Sequence, residues 1–389
     1  MIKLNRTEKA ISEKILELKN SSGSHSPSIF TIIKKIPELE IKIDACFLSN
    51  PYATDLFVES LTKELLQTGK LRDYMEFYPS QNDIIAKSIA KSINLDSKNI
   101  FVGNGAIEVI QAVMHNYVKN SVVVNIPTFS SYYEFITKDT EVHFYQLGKN
   151  ENYLLDTEKY LNFVKNINPN TVVIINPNNP NGGYINIDDL NYIIQELSYV
   201  ENIIIDESFI HFAYEDNTLD LKSATNIFNN YSNIIIIKSM SKDFGIAGIR
   251  AGYGIMNQDK VKNLLSNGFL WNCSGLTEYF FKLYSKQTFF DSYNQIRKSY
   301  INETKLFFDE LSLIKQIRVF PTMANFALIE LLDGSTASDF VSKMLISFGI
   351  YTRTCDDKIG LEGEFVRIAS RTKEENQIII KSIKNIFNY

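Results

Sequence analysis

The 389-residue chain has little of what builds stapled or metal-held folds. Its three cysteines, Cys46, Cys273 and Cys355, lie far apart with no C-x-x-C spacing. That excludes a disulfide framework and a zinc site of that type, and it fits a reducing compartment. Its four histidines, His25, His115, His143 and His211, form no H-E-x-x-H pattern, so no metal is expected. Aliphatic runs such as Ile234 to Ile237 fall far short of the roughly 20 residues that span a bilayer. The opening residues, Met1-Ile2-Lys3-Leu4-Asn5-Arg6, are charged and lack the apolar core of an export signal. Neither sign of charge dominates: 40 Lys and Arg against 45 Asp and Glu leave a net charge of −5. Such mild acidity argues against nucleic-acid or membrane-surface partners but leaves room for a local basic pocket. A cytoplasmic protein is expected.

Hydrophobic residues make up 44% of the chain, enough for a sizeable core, and the length predicts two or three domains. Weak helical periodicity runs over about Ile11 to Leu18, before a Ser/Gly-rich stretch from Ser21 to Ser28 that reads as a linker or a closing loop. Val122–Val124, Val172–Ile175, Ile203–Ile205 and Ile234–Ile237 are apolar on both faces, as suits central strands of a mostly parallel α/β sheet. Ala106, Ile107, Val109, Ile110, Val113, Met114 and Tyr117 repeat at helical spacing. From about Leu283 the pattern reads as a smaller α/β unit, with strands Phe326–Leu331 and Phe365–Ala369 and a closing helix from Glu374 to Ile386.

Open α/β sheets bind ligands at the carboxyl ends of their strands, and four ends here are polar. Gly103-Asn104-Gly105-Ala106 opens a helix whose free amides favour a phosphate, although a plain glycine turn reads the same. Ile175 runs into Asn176-Pro177-Asn178-Asn179-Pro180, a stiff loop whose amides suit a polar ring substituent. Ile205 leads into Asp206-Glu207-Ser208, where a carboxylate at the core edge needs a cation or hydrogen bonds unless it is a simple helix cap. Ile237 leads into Lys238-Ser239-Met240-Ser241-Lys242, followed by Arg250, which suits a lysine kept partly neutral for imine chemistry.

This ordered set, with Asp206 27 residues after Asn179, Lys242 36 further on and Arg250 8 beyond that, resembles the fold-type I pyridoxal 5'-phosphate (PLP) enzymes of the class I/II aminotransferase superfamily. The likeness covers about Phe47 to Ile386. It implies an α/β fold with a large domain (51–275) built on a mostly parallel seven-stranded sheet, a small C-terminal domain (276–389), and an N-terminal arm (1–50) that contributes to the small domain. It implies that Lys242 holds PLP as a Schiff base and that Asp206 pairs with the pyridinium nitrogen, so that the ring can accept electrons. Asn179 would bond the phenolic oxygen and Phe129 would stack on the ring. Ala106 and Ile107 amides, Ser239, Ser241 and Arg250 would hold the cofactor phosphate. Tyr78, in Phe77-Tyr78-Pro79, would reach the phosphate of a neighbouring subunit, which implies a homodimer with shared sites. Arg367 would grip a substrate anion. The intact lysine, aspartate and asparagine argue against a binding protein without turnover.

Within the superfamily the sequence is similar to the threonine-phosphate decarboxylase and histidinol-phosphate aminotransferase branch, whose Asn-Pro motif matches Asn50-Pro51-Tyr52. Four features resemble the decarboxylases: the loop Gly103-Asn104-Gly105-Ala106-Ile107-Glu108, Pro127-Thr128-Phe129, Phe209 where aminotransferases carry a tyrosine, and Arg371 four residues after Arg367. His25 lies near the place of a His-Gly-Gly-Asn loop, but here the residues are His25-Ser26-Pro27-Ser28. Arg353 is the expected second anion clamp. If arginines hold a side-chain phosphate and turn the carboxylate upright to the ring, carbon dioxide leaves; if they hold the carboxylate in the ring plane, transamination follows. The expected activity is decarboxylation of a small O-phosphorylated L-amino acid of the L-serine or L-threonine phosphate type. The alternative is a glutamate-dependent aminotransferase of a phosphorylated substrate.

Overall fold

Runs of β-branched residues become the strands of a seven-stranded sheet: β1 (Ile100–Asn104), β2 (Ser121–Ile126), β3 (Glu141–Gln146), β4 (Thr171–Ile175), β5 (Asn202–Asp206), β6 (Ile234–Ser239) and β7 (Ala251–Ile255). This is a computed structural model, and it describes residues 4–388. The strand order is β1-β7-β6-β5-β4-β2-β3. β2 through β6 pair in parallel, while β7 runs antiparallel to both of its neighbours. Every residue of β4, β5 and β6 is buried. Alternate side chains divide between two cores: Val172, Ile174, Ile203, Ile205 and Ile236 on one face, and Val173, Ile175, Ile204, Ile235 and Ile237 on the other. That two-sided burial is why these strands read as continuous apolar runs. β3, at an edge, is half exposed and carries Glu141, His143 and Gln146.

The described residues divide into two packing units. The larger holds Ser49–Asn179 and Gly183–Tyr300; the smaller holds the residues up to Leu48, Pro180–Gly182 and those from Ile301 on. The last change of unit falls inside a long helix, Gln287–Leu311, and not at the expected 275. A helix interior carries none of the glycine or proline punctuation by which a boundary is read from sequence.

In the smaller unit, β8 (Ile317–Val319), β9 (Phe326–Leu331), β10 (Arg353–Thr354) and β11 (Phe365–Ala369) form an antiparallel sheet in the order β10-β11-β9-β8. β9 and β11 keep their expected limits, and the closing helix, Lys373–Ile386, starts on a capping box between Thr372 and Glu375. The N-terminal periodicity becomes a helix, Arg6–Ser21, capped by Asn5 and Glu8, followed by a turn and a short helix, Ile29–Lys35, capped by Ser28. Among the described residues no helix is long and apolar enough to cross a membrane.

Candidate active site

Four strand ends of the larger unit carry the polar residues singled out above. β1 leads through Gly105 into the helix Ala106–Tyr117, whose first-turn amides have no partners within the helix. Gly105 has φ +78°, and a Cβ there would lie 2.3 Å from the Arg250 guanidinium. A Cβ on Gly252 would lie 2.4 Å from the Ala106 nitrogen. Only glycines allow the chain to close this tightly around the helix start. Arg250, itself at φ +63°, donates to the Ala247 carbonyl at 3.0 Å and the Asn104 carbonyl at 3.4 Å. β6 ends at the buried Ser239, whose hydroxyl accepts from the Ser241 N–H at 3.2 Å, and Lys242 follows in the same turn. The Lys242 carbonyl accepts from the Asn50 N–H at 2.9 Å, so the turn is tied to the start of the helix Pro51–Leu61.

Asp206 ends β5 and is 3% exposed. Burial raises its carboxyl above the usual range, opposed by bonds from Ser208 and Tyr132 and by the Lys238 charge. The Ser208 N–H donates to Oδ1 and the Tyr132 hydroxyl to Oδ2, each at 2.7 Å. Tyr132 is fully buried, and its phenol is held well above its usual value by burial and by Asp206, so it stays a donor. Asn178 and Asn179 are both buried. The Asn178 amide donates to the Pro127 carbonyl at 2.9 Å, and its oxygen accepts from Thr128 at 2.7 Å. Asn176 brackets Ile185 with two bonds of 2.8 Å. The loops after β2 and β4 are therefore locked together, with Phe129 packed on the core beside them.

These residues fit PLP. The helix start, Ser239, Ser241 and Arg250 are a phosphate-donor set, and a desolvated carboxylate at Asp206 suits a protonated ring nitrogen. The Asn50 Nδ2 is buried with no hydrogen-bond partner, although its oxygen caps Tyr52 and Ala53. An orphaned donor beside the lysine turn is what a site shaped for a ligand leaves behind.

The arginines lie in the smaller unit. Arg353 and Arg367 are Cα partners across β10 and β11. Arg353 bonds the Ser24 carbonyl at 2.7 Å and Asp357 at 2.9 Å, and Arg367 bonds the Cys46 carbonyl at 2.9 Å. Burial, reinforced by repulsion from Arg353, brings Arg367 down to about 10. Asp357 also pairs with Lys358 at 3.1 Å and Lys19 at 3.2 Å. Burial alone would raise the Asp357 carboxyl, but Arg353, Lys358 and Lys19 hold it at about 2. His25 is exposed, while Ser24 and Ser26 on either side of it meet Arg353. Arg371 makes an ion pair with Glu375 at 3.4 Å at the start of the closing helix. In the larger unit Tyr78 is 83% exposed, its ring 5.3 Å from that of Trp271.

Tyr132, Lys358 and Asp357 were not picked out from sequence. Tyr132 stands three residues after Phe129, just beyond the Pro127-Thr128-Phe129 motif. Lys358 and Asp357 lie in a charged stretch, Asp356-Asp357-Lys358, that reads as surface, yet Lys358 is 4% exposed.

The sheet, its helix-borne phosphate cradle and the lysine turn define a PLP-dependent α/β enzyme. More particularly, the chain belongs to the aminotransferase class I and II family, whose profile it matches over residues 47–383, and PLP is the cofactor of that family. It is 64% identical over 387 residues to an L-serine phosphate decarboxylase of Campylobacter jejuni subsp. jejuni, covering 100% of this chain and 99% of that one. It is 47% identical over 369 residues to an L-serine phosphate decarboxylase of Sulfurospirillum multivorans, covering 95% and 94%. The solved structure of a decarboxylase from Sulfurospirillum multivorans superposes with a TM-score of 0.94 at 46% identity, covering 98% and 97%.

Proposed function

We propose that the protein is a PLP-dependent lyase that removes the carboxylate of O-phospho-L-serine to give the amino-alcohol phosphate. The observation that carries this reading is the end-to-end 64% identity to a protein of that activity. The smaller unit supports it: Arg353, Arg367, Lys358 and Lys19 carry four positive charges against two paired carboxylates, Asp357 and Asp356. A dianionic phosphate answers that excess of positive charge better than a neutral side chain does.

When bound, PLP supplies the electron sink for the breaking Cα bond. Lys242 is the residue proposed to link to it covalently through its amine. Asp206, steadied by Tyr132 and Ser208, would keep a proton on the ring nitrogen, and Asn179 would bond the phenolic oxygen. Phe129 would pack against the ring. Ala106, Ile107, Ser239, Ser241 and Arg250 would hold the phosphate. Arg353 and Arg367 would hold the substrate phosphate and leave the carboxylate unclamped. Asn50, with its orphaned Nδ2, takes a polar group of the substrate; His25 and Arg371 are secondary contacts. We further propose a cytoplasmic homodimer in which Tyr78 reaches the neighbouring site. Exposed Met75, Phe77, Tyr78 and Trp271 support that interface, and sedimentation of the holoenzyme tests it.

The deciding experiment mixes purified holoenzyme with O-phospho-L-serine, or with O-phospho-L-threonine, and follows carbon dioxide and the amine. A parallel incubation with glutamate follows 2-oxoglutarate. Amine and carbon dioxide from O-phospho-L-serine are expected. No carbon dioxide, together with 2-oxoglutarate from glutamate, makes the enzyme an aminotransferase.

A further inference from the structure

Two lysines follow the aliphatic run of β6, Lys238 and Lys242, and the structure gives them different surroundings. Lys238 is 3% exposed; its Nζ donates to the Glu207 carbonyl at 3.0 Å and is ion-paired with Asp243 Oδ2. Asp243 is fully buried and directly follows Lys242. The pair therefore joins residues on either side of the Ser239–Lys242 turn. Asp243 Oδ1 is buried with no hydrogen-bond partner, so Lys238 is the main neutralising group on that carboxylate.

The other groups facing the pair come from several elements. His211 Nδ1 lies 3.7 Å from Asp243 Oδ2 and 2.8 Å from the Tyr293 hydroxyl. Burial, with the charges of Lys238 and Arg297, holds His211 well below its usual value, so it is neutral. Arg297, on the helix Gln287–Leu311, spends its donors on the His211 and Leu219 carbonyls. Glu207, pushed by burial up to about 7, is satisfied by Ser223 and by the Ala224 N–H. Tyr253, Tyr284 and Tyr293 are raised by burial and stay protonated. Burial raises the Asp243 carboxyl to about 6, opposed by the charges of Lys238, Arg297 and Lys242, and by reciprocity Asp243, once ionised, acts on the Lys242 amine.

A buried ion pair is a poor device for stability, because desolvation offsets its Coulomb gain and a well-packed apolar pair does as well. A carboxylate next to the working lysine has a clearer cost. Left uncompensated, it holds a proton on that amine and opposes its use as a nucleophile. We propose that Lys238 is a positioning and charge-compensating residue for Lys242: it neutralises Asp243, anchors the turn, and so sets the pH at which the Lys242 nitrogen, free or joined to PLP, gives up its proton. This rests on the assignment of Lys242 as the cofactor lysine.

The test uses the PLP-loaded protein and reads the pH midpoint of the cofactor's visible absorbance. Lys238→Met is expected to raise the midpoint by at most about one unit, the size of one charge at intermediate dielectric, since without Lys238 burial lets Asp243 take up part of a proton. Asp243→Asn is expected to lower it, and the double variant to return near the wild-type value. A residue that only supports the fold gives shifts of one direction, or none, and that result overturns the proposal. If a single variant does not fold, the double variant and Lys238→Arg decide the matter: both are expected at the wild-type midpoint, and a shift of about one unit in either overturns the proposal. Borohydride reduction and peptide mapping of the wild-type protein test the assignment of Lys242 separately. Label on Lys242 with unmoved midpoints defeats the compensation proposal alone, whereas label on Lys238 defeats both.

Discussion

Replacing Tyr132 with phenylalanine removes one oxygen and leaves the ring. Tyr132 is fully buried, and its hydroxyl donates to Asp206 Oδ2 at 2.7 Å. Phenylalanine fills the same space, so no large cavity is created. What is lost is a hydrogen bond to a buried charged group, worth about 1.5–3 kcal/mol. The Asp206 carboxyl is already raised by burial, and the lost bond supported its ionised form. Its pKa therefore rises further. The ionised carboxylate is less favoured, and the positive ring nitrogen is held less firmly. PLP affinity should fall roughly 10- to 100-fold at neutral pH.

The sign of the pH effect is the stronger test. Raising the pH ionises Asp206 again, so the gap between Tyr132→Phe and wild type should narrow as pH increases. Titrating apoprotein with PLP across pH, by fluorescence or equilibrium dialysis, measures it. If the variant binds PLP with wild-type affinity and an unchanged pH profile, Asp206 does not carry the ring charge, and the reading of the β5 end as the nitrogen site is wrong.

Asp206→Asn should retain much of the cofactor, since the amide can still hydrogen-bond, yet lose on the order of 10²-fold or more in turnover; near-normal kcat would reduce Asp206 to a structural cap. Arg367→Ala should cost about 2–5 kcal/mol of substrate recognition, read in kcat/KM for O-phospho-L-serine, while the cofactor spectrum stays unchanged. Glu207 is raised by burial from an ordinary carboxylate value to about 7, so the folded state holds its proton more tightly than the unfolded chain and stability falls as pH rises from about 4.5 to about 7. Glu207→Gln should flatten that window, by up to about 3 kcal/mol in denaturant titrations at the two ends; an unaltered slope would place the proton elsewhere.

The two-sided strands and the polar strand ends were legible because they are local: burial on both faces leaves unbroken Val and Ile, and the turn chemistry follows at once. The spacing of Asn179, Asp206, Lys242 and Arg250 supports the proposed cofactor site for the same reason, each residue standing at or close to one end of a strand. The Tyr132 bond spans 74 residues, and no periodicity signals it. Lys238 stands at the same strand end as Lys242; the spacing to Asp206 and Arg250 favours Lys242, and the burial of Lys238 against Asp243 agrees with that choice. The arm before Asn50 was the least legible part. Its His25-Ser26-Pro27-Ser28 stretch departs from a glycine-rich pattern, and the contacts to Arg353 fall on Ser24 and Ser26, not on His25.

The division of residues between the two units bears on how one scaffold supports different reactions. Each proposed cofactor contact, from Ala106 to Arg250, belongs to the larger unit, and nothing in that set distinguishes a carboxylate that stays from one that leaves. The groups proposed to discriminate belong to the smaller unit. There Arg367 sits in a desolvated place beside a second guanidinium, a poor arrangement for stability that a bound anion would relieve. Asp357 and Asp356 already answer two charges among Arg353, Arg367, Lys358 and Lys19, so the remaining excess of two suits a dianion. The Ser24 carbonyl and the Ser26 hydroxyl complete the wall around Arg353, and the Tyr351 hydroxyl fixes that segment by donating to the Pro27 carbonyl at 3.0 Å. A change of substrate among relatives should therefore be written in residues 24–27 and 353–358 before it is written in the cofactor strands. Exchanging those short segments is the economical route to shifting preference between phosphorylated amino acids while the cofactor spectrum stays the same.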